Sequence, residues 1–368
     1  MRTKIPAIPG LVLLALLCAC TAKPAPSQKK SSKPTTLLIT EAAGENDDSF
    51  VQSAFKGILK FYGETWDNQT SRGILYNTVR CISQNDYKLA LKSASEERKW
   101  DIIVMTGFIF ADPLIEIAPQ YPEQKFAIID VDWVNAPNVA QYIFAEHEGS
   151  YLAGAVAALK ALESGIAAPV FGFIGGIPSS TITKFEVGYV QGIRSIIPDA
   201  EIVDFYAGSW NDPDAAYAQA KTWYDSGVFA IFSAAGGTGS GAIEQTRTCR
   251  RRGMDVWAVG VDVDQHDVGL YAPSASAVLT SMIKRVETAT FTALTSVQNN
   301  AFTGNSSVAL TLEQEGVGFT TAMLSGDIID RVNGIRNDII NKRVRVIPTY
   351  RDALAARLVP PSLKALDN

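Results

Sequence analysis

Four stretches of this chain carry side chains suited to holding a polar, uncharged molecule. The first is Asn46-Asp47-Asp48-Ser49-Phe50, which sets carboxylates just before an amphipathic segment. A carboxylate there either caps a helix or faces a ligand, and both readings of Asp47 stay open. Acids in this place repel phosphate, so a ligand here offers hydroxyl or N–H donors and no anionic group. Phe50 follows at once, either as a core ring or as a ring facing a cleft. The second stretch holds Gly175-Gly176, which permits close backbone approach, and Phe185 ten residues later. Phe185 stands in the second half of the chain where Phe50 stands in the first. Two rings on facing walls sandwich a flat heterocycle, at about 1–3 kcal/mol per face.

The third stretch, Gly236-Gly237-Thr238-Gly239-Ser240-Gly241, follows an apolar run and opens a helical one. It is either a tight turn or a set of backbone N–H donors for a ligand oxygen. The fourth contains Asp262 and Asp264 at the end of an apolar run, with Lys284 further on in Thr280-Ser-Met-Ile-Lys284-Arg. A carboxylate accepts two hydroxyl hydrogen bonds at once, which suits a sugar or polyol. A lysine beside it balances charge and donates to the same hydroxyls, and a solvated surface lysine is the alternative. The chain has two histidines, His147 and His266, and no HExxH, GxSxG or Walker pattern. We read it as a binder rather than an enzyme, with no metal or cofactor.

The elements that position these residues come from 368 residues, 47% of them hydrophobic, enough for two domains. Apolar runs at Leu37–Ile39, Ile102–Met105, Phe126–Ile129, Phe171–Ile174, Ala230–Phe232 and Val256–Val261 alternate with helix-like stretches. Those lie at Phe50–Tyr62, Tyr87–Glu97, Tyr151–Leu162, Lys184–Ile196, Ala215–Tyr224 and Ala242–Arg251. The pattern predicts an α/β fold of two parallel sheets covered by helices, with ligands beyond the carboxyl ends of the strands.

The net charge of -5 gives no reason to expect nucleic acid as a partner, and Arg250-Arg251-Arg252 reads as a solvated helix end. Cys81 and Cys249 are either one disulfide or two free buried thiols. At the start, Arg2 and Lys4 precede the apolar run Leu11–Leu17. That run is too short for a bilayer, which needs about 20 apolar residues, and fits an export signal. Leu17-Cys18-Ala19-Cys20 reads as a lipobox, with Cys20 acylated and the polar stretch to Thr36 as a tether. A plain secretory peptide is the alternative. The expected location is the cell membrane, lipid-anchored, facing the periplasm or the exterior.

Several stretches together resemble one family. They are Asp47–Gln52, Phe126–Asp130, Glu148–Gly154, Gly172–Gly176, Phe185–Gly188, Ala235–Gly241, Gly260–Asp262 and Thr280–Arg285. They are similar to the basic membrane protein family, lipid-anchored substrate-binding proteins of ABC importers. One branch comprises purine nucleoside receptors, and a spirochaetal branch binds riboflavin. The resemblance runs from about Leu37 to about Val346. It implies a two-lobed type I periplasmic-binding-protein fold with the ligand in the interlobe cleft, and an ABC permease and ATPase as partners. On that pattern 1–19 is the signal peptide and 20–36 the lipidated cysteine and tether. Residues 37–145 with about 280–308 form one lobe, and 146–279 with about 309–355 the other.

The resemblance also implies roles. Phe50 and Phe185 clamp a heterocycle, Asp47 and Asp130 are polar cleft positions, and Asp262 and Lys284 hold ribose hydroxyls. Gly236, Gly237 and Gly239 face the ligand as a backbone turn. The chain departs from the family at Asp48 and Val51, which stand for Lys and Asn, at Glu41, one methylene longer than usual, and at His147. The segment Thr65–Arg80, with Trp66 and Tyr76, is longer than its counterpart. An Asn lost near the base leaves a purine edge unpaired, while the polyol end is kept. Riboflavin is therefore the expected ligand and a purine nucleoside the alternative. A nucleoside hydrolase and a sensory receptor are the rival classes.

Overall fold

Continuous apolar runs become inner strands, because a strand covered on both faces needs no polar side. The computed structural model describes Lys33–Ala365. The export signal, Cys20 and most of the tether lie outside the described residues. Five strands come first: β1 (Thr36–Thr40), β2 (Tyr76–Arg80), β3 (Ile102–Thr106), β4 (Lys125–Ile129) and β5 (Val139–Phe144). Next come β6 (Val170–Gly175), β7 (Glu201–Tyr206), β8 (Val228–Ala234) and β9 (Trp257–Asp262). A small ribbon, β10 (Leu270–Ala272) and β11 (Ala275–Ser276), precedes β12 (Val278–Lys284), β13 (Ser306–Leu310) and β14 (Val317–Phe319). Two six-stranded sheets result, ordered β13-β5-β4-β3-β1-β2 and β14-β12-β9-β8-β6-β7. Every pairing in them is parallel except β12 with β14.

The helices are α1 (Phe50–Tyr62), α2 (Gln84–Glu96), α3 (Ala111–Ile117), α4 (Glu146–Glu163) and α5 (Ser180–Ile196), then α6 (Pro213–Asp225), α7 (Gly239–Arg251), α8 (Val286–Gln298), α9 (Gly326–Ile340) and α10 (Tyr350–Ala355). The chain passes between the sheets at three places: between β5 and α4, between β12 and α8, and between β13 and β14. The return to the first sheet comes after Lys284, past the 280 expected from the sequence, because β12 pairs with β9 through Ile283. α8 then packs on α1, where Ser53 donates to Glu287 at 2.8 Å.

Helices α4 and α5 touch backbone to backbone. A Cβ on Gly154 would lie 2.1 Å from the Tyr189 carbonyl oxygen, and one on Gly192 2.0 Å from that of Tyr151. Any larger side chain would push the pair apart. The crossing thereby fixes Glu146 at the start of α4 and Phe185 on α5. Cys81 is free and buried in the core around the first sheet, and Cys249 is free and buried against the second. The disulfide alternative therefore falls. Arg250 lies 4.1 Å from the centre of the Trp257 ring and pairs with Asp255 at 2.6 Å, a packed helix end.

Candidate functional site

The carboxyl ends of the two sheets line one cleft. Along the first sheet, β4, β3 and β1 end in Asp130, Thr106-Gly107 and Glu41. Along the second, β12, β9, β8 and β6 end in Lys284, Asp262, Ala234 with Gly236 just beyond, and Gly175. Neighbouring strands stand about 4.8 Å apart, so the order of strands is the order of chemistry along the cleft. A charged end with Asp130, Lys284 and Asp262 grades into an apolar end with Phe108 and Trp210. About 590 Å³ of empty space lies between, part of it open to solvent. Asp47, Phe50, Asp130, Phe185, Gly236, Asp262 and Lys284 all line it.

Lys284 is 1% exposed and holds the charged end together. Its ammonium lies 2.7 Å from each Asp130 oxygen and 3.0 Å from Glu146 Oε1. Glu146 Oε2 faces Lys184 at 3.4 Å. The rings of Phe50, Phe144 and Phe185 stand 5.0, 5.0 and 5.4 Å from the same nitrogen, which adds cation–π attraction. Burial opposes the Lys284 charge, but Asp130, Glu146 and Asp262 outweigh it and hold the ammonium above its ordinary pKa. Burial likewise opposes the Glu146 charge, and Lys184 and Lys284 overcome it, so this carboxyl lies below its usual range.

Asp262 accepts the Ser49 hydroxyl across the cleft at 2.5 Å. Burial pushes its carboxyl up to about 7 against the pull of Lys284 and Ser49. Asp130 and Asp262 both take left-handed backbone, with φ of 68° and 66°, a strained region for a residue with a side chain. A second bond across the cleft runs from Gln265 Nε2 to the Asp48 carbonyl at 2.8 Å. Asp47 is the cap of α1: Oδ1 accepts the N–H of Ser49 at 3.0 Å and of Gln52 at 2.9 Å, and Oδ2 that of Val51 at 2.9 Å. Its oxygens are largely used within its own turn, although the residue lines the cleft.

Gly237 and Gly239, expected in a ligand-facing turn, are not among the residues that line the cleft. A Cβ on Gly239 would meet the Ser233 side chain at 3.2 Å, inside its own strand–helix unit, and one on Gly237 would meet the Trp210 carbonyl at 3.3 Å. Gly236, with φ of 56°, is the glycine that does. Sequence reasoning missed Phe108 and Trp210, whose rings meet edge-on at 6.2 Å between the layers. A signal for Trp210 was present in Gly176, where a Cβ would sit 2.2 Å from the indole. That indole is what the Gly175-Gly176 pair makes room for, together with the Tyr206 ring.

Of the departures from the family pattern, Glu41 lines the cleft, whereas Val51, Trp66, Tyr76 and His147 do not. Val51 is fully buried and outside the cleft lining. Trp66 packs edge-on against Phe55 at 5.6 Å, and Tyr76 stacks on Tyr62 at 4.9 Å in the core. His147 is half-buried in the first turn of α4, where desolvation lowers its pKa to about 4. Among the described residues no group of three or more His, Cys, Asp or Glu is placed to hold a metal ion, and no helix is long and apolar enough to cross a membrane.

The model of a family described as "ABC transporter substrate-binding protein PnrA-like" matches residues 36–349. The "ABC transporter nucleoside-binding protein BmpA" of Lactococcus lactis is 31% identical over 357 residues, spanning 94% of this chain and 99% of that protein. The "CD4+ T-cell-stimulating antigen" of Listeria innocua is also 31% identical, over 92% of this chain and 94% of its own. A solved ABC transporter solute-binding protein from Aeropyrum pernix superposes with a TM-score of 0.76 at 25% identity, covering 88% of this chain and 97% of that one. With two parallel sheets meeting at one cleft and the match spanning nearly the whole described chain, this protein belongs to the PnrA-like family of ABC transporter substrate-binding proteins.

Proposed function

We propose that the chain captures a purine nucleoside in this cleft and delivers it to an ABC permease. The observation that carries the reading is the division of the cleft into two chemical ends. Asp130, Asp262 and Lys284 suit vicinal hydroxyls, because the carboxylates accept and the ammonium donates. Phe50 and Phe185 flank the space beside them and suit a flat ring. Four acids line the cleft against the single lysine Lys284, which disfavours phosphorylated ligands. The nucleoside-binding name of the Lactococcus relative agrees. The case for riboflavin depended on Val51 facing the ring, and Val51 lies outside the cleft. The nucleoside therefore takes precedence.

The two layers act as lobes that close on the ligand, with Cys20 acylated at the membrane and residues 1–19 removed. Mass spectrometry of the mature N-terminus checks the anchor. Calorimetric titration with inosine, guanosine, adenosine, riboflavin and inosine monophosphate checks the ligand. Saturable uptake of a nucleoside and none of the monophosphate supports the reading. A yellow protein that releases riboflavin on denaturation, or silence toward every nucleoside, overturns it. Recovery of intact inosine after prolonged incubation separates binding from hydrolysis.

A further inference from the structure

One bond between the two layers is made by groups that line no part of the cleft. Gln265 follows β9 in the second layer, and its Nε2 donates at 2.8 Å to the carbonyl of Asp48, which lies just before α1 in the first layer. The two residues stand 217 positions apart in the chain, so the approach of the layers is what joins them. Neither is among the residues that line the cleft.

The Gln265 side chain is buried and seated from within its own layer. Its Oε1 accepts the Val261 N–H at 2.9 Å, and its backbone N–H donates to the Ser281 hydroxyl at 3.0 Å. A Cβ on Gly260 would lie 2.8 Å from Oε1, so the glycine leaves the room that the amide fills. With its oxygen committed to Val261, the flat amide aims its N–H groups at the other layer. The acceptor is prepared as well. Asp48 takes left-handed backbone, with φ of 50°, a costly region for a residue with a side chain. Among the described residues no other group donates to its carbonyl, and its side chain is occupied separately by Gln52 Nε2 at 2.8 Å. The bond from Ser49 to Asp262 is different in kind, because Asp262 lines the cleft and a ligand competes for its oxygens. Separating the layers breaks the bond from Gln265 to Asp48 whatever the cleft contains.

We propose that Gln265 is a positioning residue, a clip between the layers that sets how strongly closure is favoured and therefore how long a captured ligand stays. The inference rests on the capture of a nucleoside by closure, as proposed above. A contact made in the closed form alone moves the balance of open and closed states by its own free energy, independently of the ligand's chemistry. It slows release equally for every ligand and leaves entry into the open form unchanged.

The experiment is stopped-flow measurement of inosine and adenosine association and dissociation, with Trp210 in the cleft as the fluorescent reporter. The proteins are wild type, Gln265→Met and Gln265→Glu, at about pH 8.5. Gln265→Met removes both ends of the amide. Gln265→Glu keeps an oxygen for the Val261 N–H and, when ionised, has no proton for the Asp48 carbonyl. In both variants dissociation should speed up about three- to tenfold, the equivalent of one lost hydrogen bond. The factor should be the same for the two nucleosides, with association at the wild-type rate. Wild-type dissociation in Gln265→Glu overturns the proposal even where Gln265→Met releases faster, because the side chain then serves only to support the turn at Val261. Acceleration confined to one nucleoside overturns it too, since Gln265 then senses the ligand. Both results leave the nucleoside reading standing. Failure of wild type to bind either nucleoside overturns that reading and this inference with it. Dissociation is read from folded molecules alone, so a variant that folds only in part still decides.

Discussion

Replacing Lys284 with Met should cost more than the contacts the ammonium makes. It strands the buried Asp130 without its ion-pair partner and leaves the buried Glu146 with Lys184 alone. Breaking such a pair costs about 3–5 kcal/mol, readable as a lower urea midpoint, and adding Asp130→Asn should recover part of the loss. Phe185→Ala should leave folding closer to wild type and weaken nucleoside binding by roughly 10–150-fold, the equivalent of 1–3 kcal/mol of stacking. Titration calorimetry checks it, and an unchanged affinity removes Phe185 from the site. Asp262 and Glu41 make an opposite kind of prediction. Their folded pKa values, each about 7, lie above the unfolded ones. The stability they contribute is present below pH 4 and is lost as pH rises through 7, by at most about 1.4 kcal/mol per unit for each group. Asp262→Asn should flatten that decline in a series of urea melts between pH 4 and 8. The residue scale is also where reading from sequence reached furthest: Asp262 ends a strand marked by a clear apolar run, and Lys284 was singled out although Thr280 and Ser281 interrupt its own strand. Phe108 and Trp210 sit in short turns, where a lone ring has no periodicity to reveal it.

At the scale of elements, the strands legible in the sequence were those whose side chains are apolar on both faces, such as β3 and β8. β2 and β7 are edge strands with mixed burial, and their polar residues interrupt any apolar run. β5 and β12 lie inside their sheets yet carry Gln141, Thr280 and Ser281. The structure satisfies them locally: Gln141 accepts the Val134 N–H at 2.7 Å, Thr280 donates to the Thr320 carbonyl at 2.7 Å, and the Ser281 hydroxyl accepts the Gln265 N–H at 3.0 Å. Partners so distant in sequence leave no local trace. The α4–α5 crossing carries the prediction at this scale. Gly192→Val drives a side chain into the Tyr151 carbonyl, and overpacking of this sort costs about 1–3 kcal/mol or more. Since the same crossing places Phe185 and Glu146, the variant should lose ligand affinity as well as stability, with calorimetry and thermal melting reading the two effects separately.

For the whole molecule, a ligand that bridges both layers should stabilise them together. At 100 times its dissociation constant it adds about 2.7 kcal/mol to unfolding, seen as a rise in melting temperature that scales with ligand concentration. The two cysteines turn this into a spatially resolved statement. Cys81 and Cys249 sit in different cores, one for each layer, and burial pushes both thiols up, that of Cys81 to about 11. Each is therefore a dormant chemical clock whose reaction with a thiol reagent waits for its own core to open. Labelling followed by peptide mapping then times the two openings independently in one sample, and a nucleoside that ties the layers into one cooperative unit makes the clocks run at the same rate.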